Sequence, residues 1–233
     1  MKINNLGAIA NRLLAALPRA EYLRIETRLQ QVKLAFGDVL CEPGDVIKHI
    51  YFPNDSLVSL LTLVDDHMAL EVGMVGREGM VGIPLALGMD ASPVRALVQG
   101  AGTAMRMTAA HFRKELQNSL HLQHQVHLYT YALMGQVAQS AACNRFHVIE
   151  TRLARWLLMT RDRVGSNSFH LTHEFLGHML GVRRVGVTKA ANTLKNHDLI
   201  EYSRGNIVIL NGRALEAASC SCYQLDKDRY GQR

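Results

Sequence analysis

The stretch from Leu171 to Leu194 carries the side chains best suited to bind a polyanion. Arg183 and Arg184 are consecutive, and Lys189 follows closely. A guanidinium can donate two parallel hydrogen bonds to guanine O6 and N7, and an ammonium can reach a base edge or a phosphate. This residue set predicts contacts with double-stranded DNA.

The same stretch has the pattern of a helix-turn-helix. Thr172 is a predicted N-cap for a first helix, which Gly181 ends. Gly177 lies four residues before Gly181, where only a small side chain lets a second helix cross closely. Apolar residues at helical spacing supply the buried sides: Phe175, Leu176, Met179, Leu180, Val182, Val187, Ala190 and Leu194. The pattern therefore favours two helices that present the start of the second one to DNA.

A β-hairpin is predicted directly after this pair of helices. Leu199–Tyr202 and 206–210 form its strands, and Arg204 lies at its tip. Such a hairpin would be the wing of a winged helix-turn-helix, whereas the simpler alternative is a helical hairpin with a solvated basic face. The predicted DNA-contacting residues are Thr172, His173, Arg183, Arg184, Val185, Gly186, Thr188, Lys189 and Arg204.

The charge distribution separates this region from the rest of the chain. Residues 1–150 hold 13 Lys and Arg and 13 Asp and Glu, whereas residues 151–233 hold 13 and 7. The whole excess of +6 therefore lies in the C-terminal part. A basic domain joined to a neutral one is typical of a nucleic-acid-binding module, although a solubilising surface would give the same count.

The elements that position these residues follow from periodicity. A short amphipathic helix is expected over Leu6–Leu17, and short strands separated by turns over Val32–Met107. The turns are predicted at residues 42–45, 53–56 and 64–67. Helices are expected from the N-cap Thr108 to Leu116, over Asn118–Asn144 and over Glu150–Val164. Strands of this length and spacing indicate an antiparallel sandwich or barrel.

The helix over Asn118–Asn144 carries a heptad-like apolar seam. Its members are Leu122, Val126, Tyr129, Leu133 and Val137. A helix this long must bury its stripe, either on its own sheet or against a second copy of itself. We expect a parallel homodimer with this seam as the interface.

Taken together, these features resemble the Crp/Fnr superfamily of bacterial transcription regulators. The resemblance rests on the turn Glu42-Pro43-Gly44-Asp45, the segment 76–82, the stretch 152–158 and the helix-turn-helix. It implies an α+β fold: an N-terminal antiparallel β-roll like a cyclic-nucleotide-binding jelly roll, a long central dimerisation helix and a C-terminal winged helix-turn-helix. The implied domains are a sensor over 1–117, a dimerisation helix over 118–145 and a DNA-binding domain over 146–233.

The resemblance also implies a function. The chain would be a homodimeric, sequence-specific regulator that reads a palindromic site, is switched by a signal at the N-terminal domain and has RNA polymerase as a protein partner. Family base contacts map to Arg184, Val185 and Lys189, and Val185 stands where cyclic-AMP-type members have an acidic residue. The alternative is a small-molecule or redox signalling module with a vestigial DNA-binding domain.

The effector of the β-roll is not evident from the residues. Candidate effector-binding residues are Gly76, Glu78, Gly79 and Arg95. Asp90 and Ala91 fall where cyclic-nucleotide members carry an arginine pair for the phosphate, which argues against a cyclic nucleotide. The glycines would then serve tight turns of the roll.

Cysteine and histidine spacing predicts no metal centre and no catalytic site. Cys41 and Cys143 stand alone in sequence, so an iron–sulfur cluster is not expected. Cys220 and Cys222 could oxidise or bind a metal, but we expect them to be exposed tail residues without a function. His121, His124 and His127 lie on one predicted helix. His121 and His124 are three residues apart and could share a metal, but we interpret the three histidines as a solvated face. The sequence contains no nucleophile–base pair and no complete metal motif, so an enzyme is not expected. The apolar runs are shorter than the about 18 residues that a membrane span needs, and the apolar centre of the N-terminal segment is too weak for a signal peptide. Both observations favour a cytoplasmic protein without membrane contact.

Overall fold

A computed structural model describes residues 9–64 and 69–231 of the chain. Residues 6–8 of the predicted N-terminal helix and residues 65–67 of the third predicted turn lie outside the described residues. The chain divides into two compact units, one formed by residues 1–58 and 75–131 and the other by residues 59–74 and 132–233.

The helices and strands of the described residues form a mixed α+β arrangement. In order they are α1 (Arg12–Ala15), α2 (Arg19–Glu26), β1 (Gln30–Leu34), β2 (Val39–Cys41), β3 (His49–Pro53), β4 (Leu57–Leu63), β5 (Ala69–Val75), β6 (Arg95–Gly100), β7 (Gly102–Thr108), α3 (Ala109–Asn118), α4 (Leu120–Phe146), α5 (Ile149–Val164), β8 (Ser168–His170), α6 (His173–Leu180), α7 (Arg184–Asn196), β9 (Ile200–Ser203), β10 (Asn206–Ile209), α8 (Gly212–Ala218) and α9 (Cys222–Gly231). A 3-10 helix spans Ile83–Leu87.

The predicted strand region contains two antiparallel sheets. One has the order β1-β7-β3, with Gln30 opposite Arg106 and His49 opposite Thr108. The other has the order β2-β6-β4-β5. The predicted turn at 42–45 forms, because Gly44 takes a φ of +86° and the Asp45 carboxylate accepts a hydrogen bond from the Glu42 amide at 3.0 Å. The predicted antiparallel sheet architecture is confirmed.

A buried polar side chain joins the N-terminal segment to the strands of the first unit. Asn11 is fully buried, and its amide nitrogen donates to the carbonyl oxygens of Pro53 and Gly79 at 2.9 Å each. Its side-chain oxygen accepts from the Leu14 amide and so caps α1. Leu14 itself is fully buried, as is Ile50 on β3. The short first helix is therefore part of the core of this unit.

The second unit is built around α5, whose residues from Arg152 to Thr160 are all buried. Its small sheet has the order β8-β10-β9, and contacts join α5 to α7, α8 and α9. Helix α5 and the β9–β10 hairpin were predicted, whereas β8, α8 and α9 were not. Among the described residues, no helix is long and apolar enough to cross a membrane.

Candidate nucleic-acid interface

The first helix of the predicted pair begins and ends at the expected residues. The Thr172 hydroxyl accepts a hydrogen bond from the Phe175 amide at 3.1 Å, which caps α6. Gly181 ends the helix in the left-handed region at a φ of +62°. The amide of Val182 then donates to the Gly177 carbonyl at 2.9 Å and closes the turn. The helix-turn-helix pattern is confirmed as a structure over these residues.

Gly177 is required by the close approach of the turn to α6. A Cβ atom at this position would lie 2.9 Å from the backbone carbonyl oxygen of Val182. A backbone atom cannot move aside as a side-chain end can, so a larger residue would push α7 away from α6. The small side chain thus fixes the angle at which α7 is presented.

The start of α7 is exposed and positively charged. Arg183, Arg184, Val185 and Lys189 are all exposed, with Val185 at 60%. Arg183 is the N-cap but supplies no side-chain hydrogen bond to the helix end. The first amides of an α-helix have no acceptor within the helix, and the helix dipole adds partial positive charge there. The arrangement suits phosphate oxygens and acceptor atoms of bases.

Two of the predicted DNA-contacting residues, His173 and Thr188, form contacts within the domain itself. His173 is 9% exposed, its Nδ1 lies 2.9 Å from the Thr188 hydroxyl, and its ring stacks on Tyr202 at 4.1 Å between centroids. Thr188 also donates to the Arg184 carbonyl at 3.0 Å. Burial, and next the charge of Arg184, lower the pKa of His173. His173 therefore joins α6, α7 and β9 as a neutral packing residue.

Gly186 lies on the side of α7 that faces α5. A Cβ there would lie 3.0 Å from the Ile149 Cδ1 atom. Gly186 therefore lets α7 pack closely against α5. Of its two neighbours, Val185 points to solvent and Val187 points to the core.

The predicted wing forms as part of a three-stranded sheet. Ser203 pairs with Asn206, so that Arg204 and Gly205 form a two-residue turn. Both take positive φ angles, +49° and +83°, which is typical of a type I′ hairpin. Arg204 is exposed at the tip, as the sequence predicted.

The candidate effector residues of the first unit are held in local contacts. The Glu78 carboxylate is buried and accepts from the Gly76 amide at 3.2 Å. A Cβ at Gly79 would fall 2.0 Å from the Tyr129 ring, so this glycine makes room for that side chain. Arg95 forms an ion pair with Glu42 at 2.7 Å between Nε and Oε2.

Most of the predicted dimer seam of α4 lies in the interior of the chain itself. Leu122, Val126 and Tyr129 are 1%, 0% and 0% exposed, so they offer no area to a second copy in this structure. Leu133 is half-buried, and Val137 is 37% exposed. These residues fit the alternative better, in which the stripe packs within the chain's own fold. The Tyr129 ring, for instance, fills the space beside Gly79.

A second heptad pattern runs along the exposed side of α4. Its members follow one another at alternating steps of four and three and are all exposed: Leu120, His124, His127, Tyr131, Met134, Ala138, Ala141 and Arg145. Tyr131 is 77% and Met134 68% exposed. Because of this spacing, the eight side chains form one continuous stripe along the helix.

The cysteines of the C-terminal segment are buried, contrary to expectation. Cys220 and Cys222 are 8% and 1% exposed and lie beside Cys143 and His147. The Sγ atoms of Cys143 and Cys220 are 3.6 Å apart. That contact lowers the pKa of Cys143 and raises the pKa of Cys220, and the positive charge of Arg155 also lowers that of Cys143. No local pattern predicts this grouping, because its two halves lie far apart along the chain.

Comparison with known proteins bears on both units. Residues 151–218 match the family model of the Crp-like helix-turn-helix domain. No curated protein sequence matches the chain. Among solved structures, the chain is similar to CLP, a c-di-GMP-responsive global regulator from Xanthomonas campestris, at 15% identity and a TM-score of 0.68, covering 83% of this chain and 100% of that one.

Two further structures have the same architecture. FixK2 from Bradyrhizobium japonicum is 12% identical with a TM-score of 0.68, covering 83% of this chain and 98% of that one. A CRP-family transcriptional regulator from Thermus thermophilus is 19% identical with a TM-score of 0.67, covering 81% of this chain and 96% of that one. The chain therefore carries a Crp-like helix-turn-helix domain on the fold of the Crp/Fnr family of transcription regulators.

Proposed function

We propose that the chain is a homodimeric, sequence-specific regulator of transcription. In each protomer, α7 enters the major groove of double-stranded DNA, and the two helices read half-sites about 34 Å apart in a palindrome. The observation that carries the proposal is the exposed start of α7, where Arg183, Arg184 and Val185 surround a helix end with uncapped amides. RNA polymerase is the expected protein partner.

The exposed residues of the candidate DNA-binding surface have different roles in the proposed complex. Arg184 donates to guanine O6 and N7, and Val185 contacts a thymine methyl group. Arg204 binds a phosphate, and so does Lys189, although the resemblance maps a base contact to it. Phosphate contacts set the register of the protein on the duplex without reading sequence. Thr172 lies exposed at the start of α6, where its backbone can approach the phosphate chain.

The proposed dimer interface is the exposed heptad stripe of α4. Tyr131 and Met134 supply apolar area, and Ala138 and Ala141 allow two helices to approach closely. A parallel pair around this stripe would relate the two copies of α7 by a two-fold axis, as a palindromic site requires. We propose this stripe in place of the Leu122 seam.

The division into a sensor over 1–117, a dimerisation helix over 118–145 and a DNA-binding domain over 146–233 belongs to the same proposal. A signal received in the first of these would change the packing of the paired α4 helices and so the spacing of the DNA-binding domains. Arg95 is engaged by Glu42, which supports a signal other than a cyclic nucleotide.

Selection of duplexes from a random pool, followed by fluorescence anisotropy on the selected sequence, tests this function. We expect a palindromic sequence, and we expect Arg184→Ala to weaken binding to it by about 1–3 kcal/mol while relaxing the preference at one position in each half-site. Lys189→Ala should weaken binding to all sequences alike and lower the salt dependence by about one charge.

Arg213→Ala is the matched control. It removes one exposed positive charge from the same domain, on α8 rather than at the start of α7. Its effect on the selected sequence should be small. Equal affinity for all duplexes, or no difference between Arg184→Ala and Arg213→Ala, would contradict sequence reading by α7. Absence of any DNA binding would favour the alternative of a signalling module with a vestigial DNA-binding domain.

A further inference from the structure

Four potential metal ligands from two distant segments converge in the second unit. Cys143 and His147 lie one helical turn apart at the end of α4, where the His147 amide donates to the Cys143 carbonyl at 3.1 Å. Cys220 lies between α8 and α9, and Cys222 is the first residue of α9. The three Sγ atoms and one imidazole nitrogen all lie within 4.8 Å of one another. The three cysteines are buried and His147 is half-buried.

The spacing of these atoms fits a single tetrahedral ion. Zn²⁺ binds thiolate sulfur at about 2.3 Å and imidazole nitrogen at about 2.0–2.1 Å, so two sulfurs on one ion stand about 3.8 Å apart and a sulfur and a nitrogen about 3.6 Å apart. The Cys143 and Cys220 sulfurs are separated by 3.6 Å, and Cys222 Sγ lies 3.4 Å from His147 Nδ1. For these two pairs, the ligand atoms need to shift by only a few tenths of an ångström.

The surroundings suit a site with excess negative charge. Three thiolates and a neutral imidazole around a divalent ion leave one negative charge. The Gln139 side-chain amide donates to Cys222 Sγ at 3.0 Å, as a ligand-orienting hydrogen bond would. Buried Arg152 and Arg155 interact electrostatically with Cys143, and Arg152 is itself held by the Asn144 side chain at 2.7 Å. These contacts hold the ligands in place and offset the charge.

We propose that Cys143, His147, Cys220 and Cys222 bind one Zn²⁺ ion in a closed structural site. Three cysteines and a histidine are a common ligand set for structural zinc. An iron–sulfur cluster fits less well, because its ligands are shared among at least two irons, and ligands of different irons stand farther apart than the ligands of one ion. The ion ties the segment between α8 and α9 to the end of α4, next to the connection into α5. It therefore couples the C-terminal helices to the start of the DNA-binding domain.

Titration of the full-length, fully reduced protein with Co²⁺ under anaerobic conditions tests the site. Tetrahedral Co²⁺ with thiolate ligands absorbs in the visible range, and Zn²⁺ should displace it. We expect saturation at one ion per chain. Cys222→Ser and His147→Ala should each weaken binding at least about tenfold, since even loss of an orienting partner costs that much. Cys41→Ser, which alters a cysteine outside the four, should leave the titration unchanged.

Two ligand variants are needed to separate loss of metal binding from loss of folding. His147 is only half-buried, so His147→Ala should keep the native circular dichroism even if Cys222→Ser unfolds the domain. Failure of the wild-type chain to bind Co²⁺ at one equivalent would overturn the proposal. So would equal binding by wild type and His147→Ala, iron–sulfur absorption in protein purified from its host, or a Cys143–Cys220 disulfide that re-forms in the presence of excess Zn²⁺. The proposal does not depend on DNA binding.

Discussion

Val185 is an apolar residue at 60% exposure on the helix end that we place in the DNA groove. Folding alone gives no reason to keep a valine there, since the nearby Val187 provides the buried contact. Val185 cannot accept a hydrogen bond from cytosine N4, whereas a carboxylate can. The base preference at this position can therefore be tested by substitution.

Val185→Glu should change which base is preferred. We expect the glutamate to favour a C·G pair at the position that wild type reads through a thymine methyl group, with about 1–3 kcal/mol of discrimination. Anisotropy on the selected site and on the variants with each other base pair at that position measures this. Val185→Ala is the control and should only weaken the thymine preference. An unchanged order of preference in Val185→Glu would place this residue outside the groove.

Glu71 is a buried carboxyl group in the second unit. Its two oxygens accept from the Ser59 hydroxyl at 2.6 Å and from the Trp156 ring nitrogen at 2.9 Å. Burial raises its pKa to about 7, although those hydrogen bonds and the charges of Arg155 and Arg163 act in the opposite direction. The folded chain therefore keeps this proton at pH values where the unfolded chain has released it.

The free energy of unfolding should fall as the pH rises from 4.5 to about 7, the window between the ordinary pKa and the raised one. The loss from this residue is on the order of 3 kcal/mol. Glu71→Gln carries no charge at any pH and should flatten that decline in urea unfolding at pH 5 and pH 8. Glu174→Gln, at an exposed glutamate, should keep the wild-type slope. A wild-type slope in Glu71→Gln would show that the group titrates normally.

At the scale of elements, the turn between α6 and α7 depends on the absence of a side chain at one position. Gly177→Ala should cost about 1–3 kcal/mol, because its Cβ would meet the Val182 carbonyl oxygen at 2.9 Å. Gly186→Ala is a matched comparison in the next helix, where the Cβ meets only the flexible end of Ile149 at 3.0 Å. Both substitutions gain about 1 kcal/mol in helix preference, which offsets the side-chain contact at Gly186 but not the backbone contact at Gly177. Urea unfolding measures both, and equal losses would contradict the close approach at Gly177.

The elements around this turn could be predicted because their signals are local. The cap at Thr172, the small residue at Gly177 and the left-handed residue at Gly181 lie within one short segment. Strand β8 could not be predicted in the same way. It has three residues, and its only described pairing is with β10, so nothing in its own composition marks it as a strand.

At the scale of the whole molecule, α4 shows why periodicity alone does not decide which stripe of a helix is buried within its own chain. The helix carries two heptad patterns on different sides, and both fit a buried stripe. The more apolar one, with Leu122 and Val126, is covered by the chain's own fold, while the stripe with Tyr131 and Met134 is exposed. Which stripe is covered depends on residues far away in sequence, as does the meeting of Cys143 with Cys220.

The two stripes of α4 predict opposite consequences of substitution. Tyr131→Asp should yield monomers in sedimentation velocity, because a two-fold interface would contain the new charge twice without a partner for it. Tyr131→Phe keeps the apolar area and should remain dimeric. Leu122→Ala should instead lower the free energy of unfolding by about 2–5 kcal/mol and keep the dimer, since this side chain is 1% exposed in the single chain.

Loss of the dimer should also change DNA binding in a specific way. A monomer contacts one half-site, so Tyr131→Asp should lose most affinity for the palindrome while keeping its weak affinity for a single half-site. The α7 residues are unchanged in this variant, and its base preference should therefore match wild type. If Tyr131→Asp stayed dimeric while Leu122→Ala became a folded monomer, the interface would be the predicted seam and the exposed stripe would need another explanation.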